Sequence, residues 1–518
     1  MADPSVERRY PEVPSQADYP ALEEETLAYW EADRTFAASI AGRPPTAAYT
    51  FNDGPPFANG LPHYGHLLTG FVKDAMPRYH TMRGERVERN FGWDCHGLPA
   101  ETEAEKELGV SGRGPITAYG IDRFNDYCRK SVLRYVSAWE RYVTRQARWV
   151  DFENDYKTMD ITFMESVIWA FKELHDRGLI YEAYRVLPYC WECETPLSIS
   201  ETRLDDAYRE RVDPAVTVAF RLCASGPRAS RASDGELSVL VWTTTPWTLP
   251  SNLALAVGAD ITYAVLEANG ARYLCGADRL EAYADILGGP TVLETLKGAE
   301  LEGRRYEPLL AYATPFRRDL GDCLRVLLGD FVSTDEGTGI VHLAPGFGED
   351  DQNLCEENGI AVFCPVDSRG CFDETMGDLA GIQVFEANNV VIEHLRAKGA
   401  LVAREEYAHS YPHCWRTDTP LIYRAVSSFF VEVSAIKGRL IALNDEVNWV
   451  LLTSRKVRSA SGSKERATGR FPVIGFGVLL FPYGRATILP IPASTSMGAS
   501  PRSKPISAYD RTICTARR

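Results

Sequence analysis

The chain has 518 residues, 45% of them hydrophobic and 25% charged, with a formal net charge of −15 and twelve cysteines. That balance excludes a disordered or collagen-like chain, and the length favours two or three domains over one. An acidic total argues against general nucleic-acid coating, the scattered cysteines and absent leader point to reduced thiols, and the longest apolar run, residues 471–483, is interrupted by two prolines and two glycines and so excludes a membrane-spanning helix.

Residues 1–17 are polar and proline-rich and read as a loose arm. Asp18 is placed to cap a helix with Pro20 in its first turn, and Leu22, Tyr29, Trp30 and Phe36 form its expected buried stripe. Ala48 to Phe51 reads as the end of a strand, broken by Gly54, Pro55 and Pro56 and turned at Asn59-Gly60. Pro62 then opens a helix with Leu67, Phe71 and Met76 at helical spacing. His63 and His66, three apart, are expected on one face of it beside the positive N-terminus. There, imidazole donors add to a natural phosphate site. Gly65 between them leaves no side chain in the way of a flat ligand. A second motif, Gly92-Trp93-Asp94-Cys95-His96-Gly97, follows.

Phe124, Tyr127, Tyr135, Trp139, Tyr142 and Trp149 sit at a spacing that predicts core rather than base-stacking positions. Thr162 and Glu165 read as a capping box for a helix carrying Val167, Ile168, Phe171 and Leu174 and ended by Gly178. This alternation of strands and helices predicts a doubly wound α/β domain. From about 205 to 405 the texture changes. Short β-type runs (215–222, 237–242, 263–266, 324–328 and 339–343) separated by glycine-rich turns predict a β-rich, barrel-like insertion. His409 to Val433 reads as the return strand.

Cys190-Trp191-Glu192-Cys193 is half of a zinc knuckle, and Cys414 with Thr417 marks the other half, Thr417 standing where a second CxxC would place its cysteine. A metal site of Cys190, Cys193 and Cys414 is therefore expected to hold zinc weakly or not at all, unless His413 or another group completes it. In the insertion, Trp242-Thr243-Thr244-Thr245-Pro246-Trp247-Thr248 and the stretch from Gly337 through His342 to Asp351 bring hydroxyls, a histidine and carboxylates within one segment. Such a set can orient a water and hold an ammonium. The threonine run alone is equally what β propensity would produce.

Pro62-His63-Tyr64-Gly65-His66 resembles the H-I-G-H signature of the class I aminoacyl-tRNA synthetases. The pairing of Gly-Pro-Pro-Phe-Ala-Asn-Gly (54–60) with Gly-Trp-Asp-Cys-His-Gly (92–97) is similar to the isoleucine-specific branch, over roughly residues 18–450. The resemblance implies a Rossmann-like catalytic domain, here incomplete, with an inserted editing domain. It implies this layout: an N-terminal arm and helix at 1–48, the first part of the catalytic domain at 49–204, the editing domain at 205–405, and a return into the catalytic domain at 406–450. It further implies ATP-dependent activation of isoleucine, its transfer to tRNA(Ile), and hydrolysis of valyl-tRNA(Ile), with Mg²⁺ accompanying ATP, in a cytoplasmic monomer. Carried over residue by residue, His63, Gly65 and His66 bind ATP, the two histidines being catalytic. Asp94 and the carbonyl of Pro55 take the amino acid's ammonium. Thr243, Thr244, Thr245, Trp247, Thr248, His342 and Asp351 form the editing pocket, with Asp350 one position away as the alternative carboxylate.

Residues 451–518 break the pattern, with twelve Lys/Arg against two Asp/Glu and no histidine. They read as an aberrant basic tail. The family's K-M-S-K-S signature is missing; Ser461-Gly462-Ser463-Lys464-Glu465 is the nearest text. The alternatives are an isolated editing hydrolase, an inactive tRNA-binding remnant, and a generic α/β nucleotide-binding protein.

Overall fold

A computed structural model describes residues 15–198, 201–204, 206–223, 237–446 and 470–472. The arm before residue 15 and nearly all of the expected tail, including 461–465, lie outside the described residues. The chain is mixed α/β and divides into two compact units, one reaching Ile180 and resumed at Val433, the other spanning Tyr181–Glu432.

The first unit runs α1 (Tyr19–Asp33), α2 (Thr35–Ala41), α3 (Tyr64–Met82), β1 (Asn90–Trp93), α4 (Leu98–Leu108), α5 (Arg113–Tyr119), α6 (Ile121–Ser131), α7 (Val136–Arg145), β2 (Asp151–Lys157) and α8 (Ile161–Asp176). β1 and β2 pair in parallel, joined through the helices between them, as a βαβ crossover requires. Phe91, Trp93, Val132, Trp139 and Val143 form the core they share with α7. Of the aromatic series, Phe124 and Trp139 are buried, and Tyr127, Tyr135 and Tyr142 are half-buried against the same cores.

Several local expectations are corrected. Asp18 does cap α1, its Oδ1 accepting from the Ala21 N–H at 3.2 Å. Leu22 and Tyr29, however, are exposed, and only Trp30 and Phe36 turn inward, against Trp149. Ala48–Phe51 is not a strand; Ala48 makes one isolated parallel bridge to Arg86. Pro62 precedes the cap of α3 instead of occupying its first turn. Helix α8 begins at Ile161, with Asp160 as cap residue and no side-chain cap bond, so the Thr162–Glu165 box does not form. The Asp160 carboxylate instead accepts from the Lys157 N–H at the end of β2, 2.8 Å away.

The second unit contains β3 (Ile180–Cys190, its first residue in the first unit), β4 (Thr195–Pro196), β5 (Tyr208–Arg221), β6 (Leu237–Thr243), β7 (Ala254–Val257), β8 (Thr262–Ala268), β9 (Ala271–Gly276), α9 (Leu280–Ala284), β10 (Thr291–Lys297), β11 (Arg325–Leu328), β12 (Ile340–Leu343), α10 (Glu349–Glu357), α11 (Val384–Ala397), β13 (Leu401–Pro412) and β14 (Ile422–Glu432). The expected β-rich segments are all strands. They form a six-stranded sheet in the order β10-β8-β9-β6-β5-β13 and a three-stranded sheet β11-β7-β12, while β14, β3 and β4 are neighbours in a further sheet. The stretch 409–433 is therefore not one return strand. It is the end of β13, paired with β5, then a turn, then β14 beside β3. Alternation along β6 sends Val239 and Val241 to a core shared with β7 and β12, and Leu240 to a second cluster with Leu266, Tyr283 and Leu287. α11 packs Val384, Ala387, Val391, Ile392 and Leu395 into the first of these cores, a helical stripe. A last described helix, α12 (Val433–Glu446), follows.

Candidate functional site

In the first unit the loop before α3 is pinned from several sides. The carboxylate of Asp53, nearly buried, pairs with Lys73 of α3 at 2.5 Å and with Arg148 after α7. The Lys73 ammonium also donates to Gly54 O at 3.0 Å, and the Tyr156 hydroxyl donates to Asp53 O at 3.0 Å. Further along, the Trp139 indole N–H donates to Gly60 O at 2.9 Å. The Asp94 N–H donates to Pro56 O at 2.8 Å, which brings Asp94 against the Pro55-Pro56 pair. Burial pushes the Asp94 carboxyl up, opposed by hydrogen bonds from the His96 N–H and the Thr158 hydroxyl. A partly buried carboxylate has the charge to pair with an ammonium.

His63 is not within the helix but caps it. Its Nδ1 accepts from the Gly65 N–H at 3.1 Å, and the His66 Nδ1 accepts from the His63 N–H at 3.1 Å, a reciprocal capping box built from two imidazoles. The rings lie 3.8 Å apart, and His66 meets Trp139 edge-on. Because each Nδ1 is an acceptor, the neutral ring carries its proton on Nε2, which makes both residues outward donors. The His66 imidazole is held below its usual pKa by burial, then by His63 and Lys73, so it donates as a neutral group. The structure gives Gly65 a nearer reason than ligand clearance: a Cβ there would lie 3.0 Å from His63 Cε1 and disturb the cap.

In the second unit, β6 ends at Thr243 and a 3-10 turn, Pro246–Ser251, follows. Thr243 Oγ1 lies 3.2 Å from Thr245 Oγ1, which lies 3.4 Å from Thr248 Oγ1, which lies 3.0 Å from His342 Nε2 on β12. Two segments about a hundred residues apart are thus joined in one hydroxyl–imidazole chain. Burial pushes His342 down to about 4, so it is neutral near pH 7. Its Nδ1 and the Trp247 indole nitrogen are buried without a hydrogen-bond partner among the described residues, which is costly unless a ligand or water meets them. Asp351 turns inward in the first turn of α10 and accepts from the Ala344 N–H at 2.8 Å, while Asp350 is exposed. Burial raises the Asp351 carboxyl to about 7. Gly348 permits that pose, since a Cβ there would lie 2.6 Å from Asp351 Cγ. Thr244 is half-buried.

Residues that sequence reasoning missed support both places. Asn388 on α11, buried, accepts from the Trp247 N–H at 3.0 Å across 141 residues of sequence. Asp53, Lys73 and Arg148 lock the loop before His63. An ordinary Asn inside a helix and a Lys on another carry no local signal; only the tertiary contact marks them.

Cys190, Cys193 and Cys414 converge, their sulfurs all within 4.8 Å and all three residues buried. Thr417 Oγ1 takes the fourth corner at 3.4 Å from Cys190 Sγ, and itself pairs with Thr419 Oγ1 at 2.8 Å. His413 is not in the cluster, and its Nδ1 engages Tyr411 O at 2.9 Å. Cys190 and Cys193 donate toward the Cys414 sulfur, which holds that thiol well below its usual pKa. Three thiols and a neutral hydroxyl fit a tetrahedral zinc only partly.

The sequence matches the protein-family model "tRNA synthetases class I (I, L, M and V)" over residues 25–460. It is 55% identical over 453 residues to a Rickettsia felis protein named isoleucine--tRNA ligase, covering 85% of this chain and 41% of that protein. A Rickettsia peacockii protein of the same name is 55% identical over 444 residues, covering 85% of this chain and 40% of its own length. The chain thus spans about two fifths of the curated relatives it matches. With the histidine-capped helix and the family match agreeing over the same residues, the chain belongs to the class I tRNA synthetases of the isoleucine, leucine, methionine and valine group.

Proposed function

We propose that this chain is part of a cytoplasmic, monomeric isoleucine–tRNA ligase that activates isoleucine with ATP and Mg²⁺, passes it to tRNA(Ile), and hydrolyses valyl-tRNA(Ile). The observation that carries this reading is the 55% identity over 85% of the chain to proteins named isoleucine--tRNA ligase. In activation, the isoleucine carboxylate attacks the α-phosphate of ATP, forming the acyl-adenylate and releasing pyrophosphate. The Nε2–H donors of His63 and His66, fixed by their capping bonds beside the positive end of α3, stabilise charge developing on the phosphates. Gly65 keeps the backbone open to ATP. Asp94 and the Pro55 carbonyl hold the ammonium. A ribose hydroxyl of the tRNA then attacks the acyl carbon of the adenylate, the bond to the phosphate oxygen breaks, and AMP leaves with the aminoacyl ester formed on the tRNA.

One missing methylene gives a binding site only about 150-fold discrimination, a figure already established for isoleucine against valine in synthetases of this specificity, so a second, hydrolytic site is needed. Asp351 would pair with the α-ammonium of the misplaced valine. Thr243, Thr244, Thr245 and Thr248 would orient water at the ester carbonyl, Trp247 would form the wall, and neutral His342 would meet the terminal ribose. Water adds to the ester carbon, the ester C–O bond breaks, and valine and free tRNA leave. Zinc, where bound, would be held by Cys190, Cys193 and Cys414 and would be structural.

A second reading, a hydrolase acting alone, is favoured by one observation: the threonine–histidine–aspartate set and a large core lie together within Tyr181–Glu432. Pyrophosphate exchange with isoleucine and deacylation of valyl-tRNA(Ile), measured on the longer protein of which this chain is a part, decide between them. Both activities support the ligase, deacylation alone supports the hydrolase, and neither overturns both.

A further inference from the structure

Across β6 from the threonine site lies a separate cleft of about 400 Å³. Trp242 precedes Thr243 in β6, so its side chain takes the opposite face of the sheet. The floor is made of small residues: Thr217 stands beside Trp242 on one side and Ala403 on the other, and Ala215 lies next along β5 opposite Glu405. Trp242 and Tyr407 form two aromatic walls, ring centroids 5.2 Å apart and nearly perpendicular. Each wall holds a carboxylate at the rim. The Trp242 indole N–H donates to Glu405 Oε1 at 3.0 Å, and the Tyr407 hydroxyl donates to Glu336 at 3.4 Å. The cleft's two arginines do not neutralise these carboxylates. Arg279 is spent on the carbonyls of Gly337 and Asp335, and Arg404 pairs with Glu406. Gly337 lies against the Trp242 ring, where a Cβ would come to 3.2 Å, and this loop fixes the indole.

A corner of two aromatic rings presents negative faces, and two carboxylates without an ion pair among the described residues add full charge. The small floor leaves room for an apolar stem beneath. The geometry points to a binding site for an organic cation: an ammonium or guanidinium group on a short aliphatic stem, supplied by a free amine or by a basic side chain of a polypeptide. The cation sits between Glu405, Glu336 and the Trp242 face, and the stem lies over Ala403 beside the edge of Thr217. This site is independent of the proposed ligase and editing functions, since it uses none of their residues.

The test is calorimetric titration of the whole chain with agmatine and, separately, with an acetylated and amidated Gly-Arg-Gly peptide. Saturable binding is expected, weakened about tenfold in Glu405→Gln, as loss of one charge-assisted contact predicts, and weakened again in Trp242→Leu. Glu405 is exposed, so its variant keeps the fold and remains informative if Trp242→Leu does not fold. Tighter binding of agmatine assigns the free amine, and tighter binding of the peptide assigns the side chain; either outcome supports the site. Absence of saturable binding, or binding unchanged in Glu405→Gln, overturns it.

Discussion

Asp351 and His342 carry opposite burial penalties, and the signs give a test. The Asp351 carboxyl is raised to about 7, so the folded state binds a proton that the unfolded chain releases near 4. Its contribution is fully present below the unfolded value and is lost as pH rises toward 7. His342 is lowered to about 4, so its contribution is present above about 6.5 and is lost as pH falls to 4. Between about pH 4 and 6.5 the two slopes, each about 1.4 kcal/mol per pH unit, cancel. Unfolding of Asp351→Asn should therefore show stability rising with pH across that window, and His342→Gln should show it falling; parallel profiles for the two variants would refute the assignment. Gly348→Ala should cost about 1–3 kcal/mol through overpacking against Asp351, read as a lowered denaturation midpoint. At the cysteine cluster, elemental analysis should find less than one zinc per chain, rising to one in Thr417→Cys, because that change supplies the fourth thiolate.

At the scale of elements, the two candidate sites depend on bonds between segments far apart in sequence. The turn Pro246–Ser251 is held by Asn388 of α11, so Asn388→Ala leaves the Trp247 N–H buried and unpaired. A loss of about 1–3 kcal/mol is expected, with valyl-tRNA deacylation reduced, while Asn388→Asp retains the acceptor and most of the activity. A rate unchanged in Asn388→Ala would mean that the turn holds without it. The loop before α3 depends on Asp53 in the same way. Removing that carboxylate strands Arg148, whose side chain is only 7% exposed, and Asp53→Ala should cost about 3–5 kcal/mol in denaturant unfolding.

At the scale of the whole molecule the two units differ in how they use their apolar residues. In Tyr181–Glu432 the core is closed by sheets and α11. In the first unit, Leu68 and Phe71 of α3 are 68% and 71% exposed, and among the described residues β1 and β2 are a two-stranded parallel pair. Parallel sheets are stable when covered on both faces. Deacylation by residues 1–518 should therefore survive urea concentrations that abolish any pyrophosphate exchange, and exchange as resistant as deacylation would contradict this.

What the sequence determined by itself is what is local: the capped start of α1, the strands of the second unit, the family signature around His63 and His66, and the threonine run, each set by propensity, period or motif over a few residues. It misjudged the inward face of α1, because burial depends on which neighbours arrive, and the cap at Thr162, because α8 already starts at Ile161 and Thr162 lies inside its first turn. Only tertiary structure decided that Asp351 rather than Asp350 faces inward, that His413 stays out of the cysteine cluster, and that Asn388 and Asp53 brace their loops. Most of those outcomes depend on contacts between segments tens to hundreds of residues apart, and the desolvation that gives them their energy exists only once the chain has closed around them.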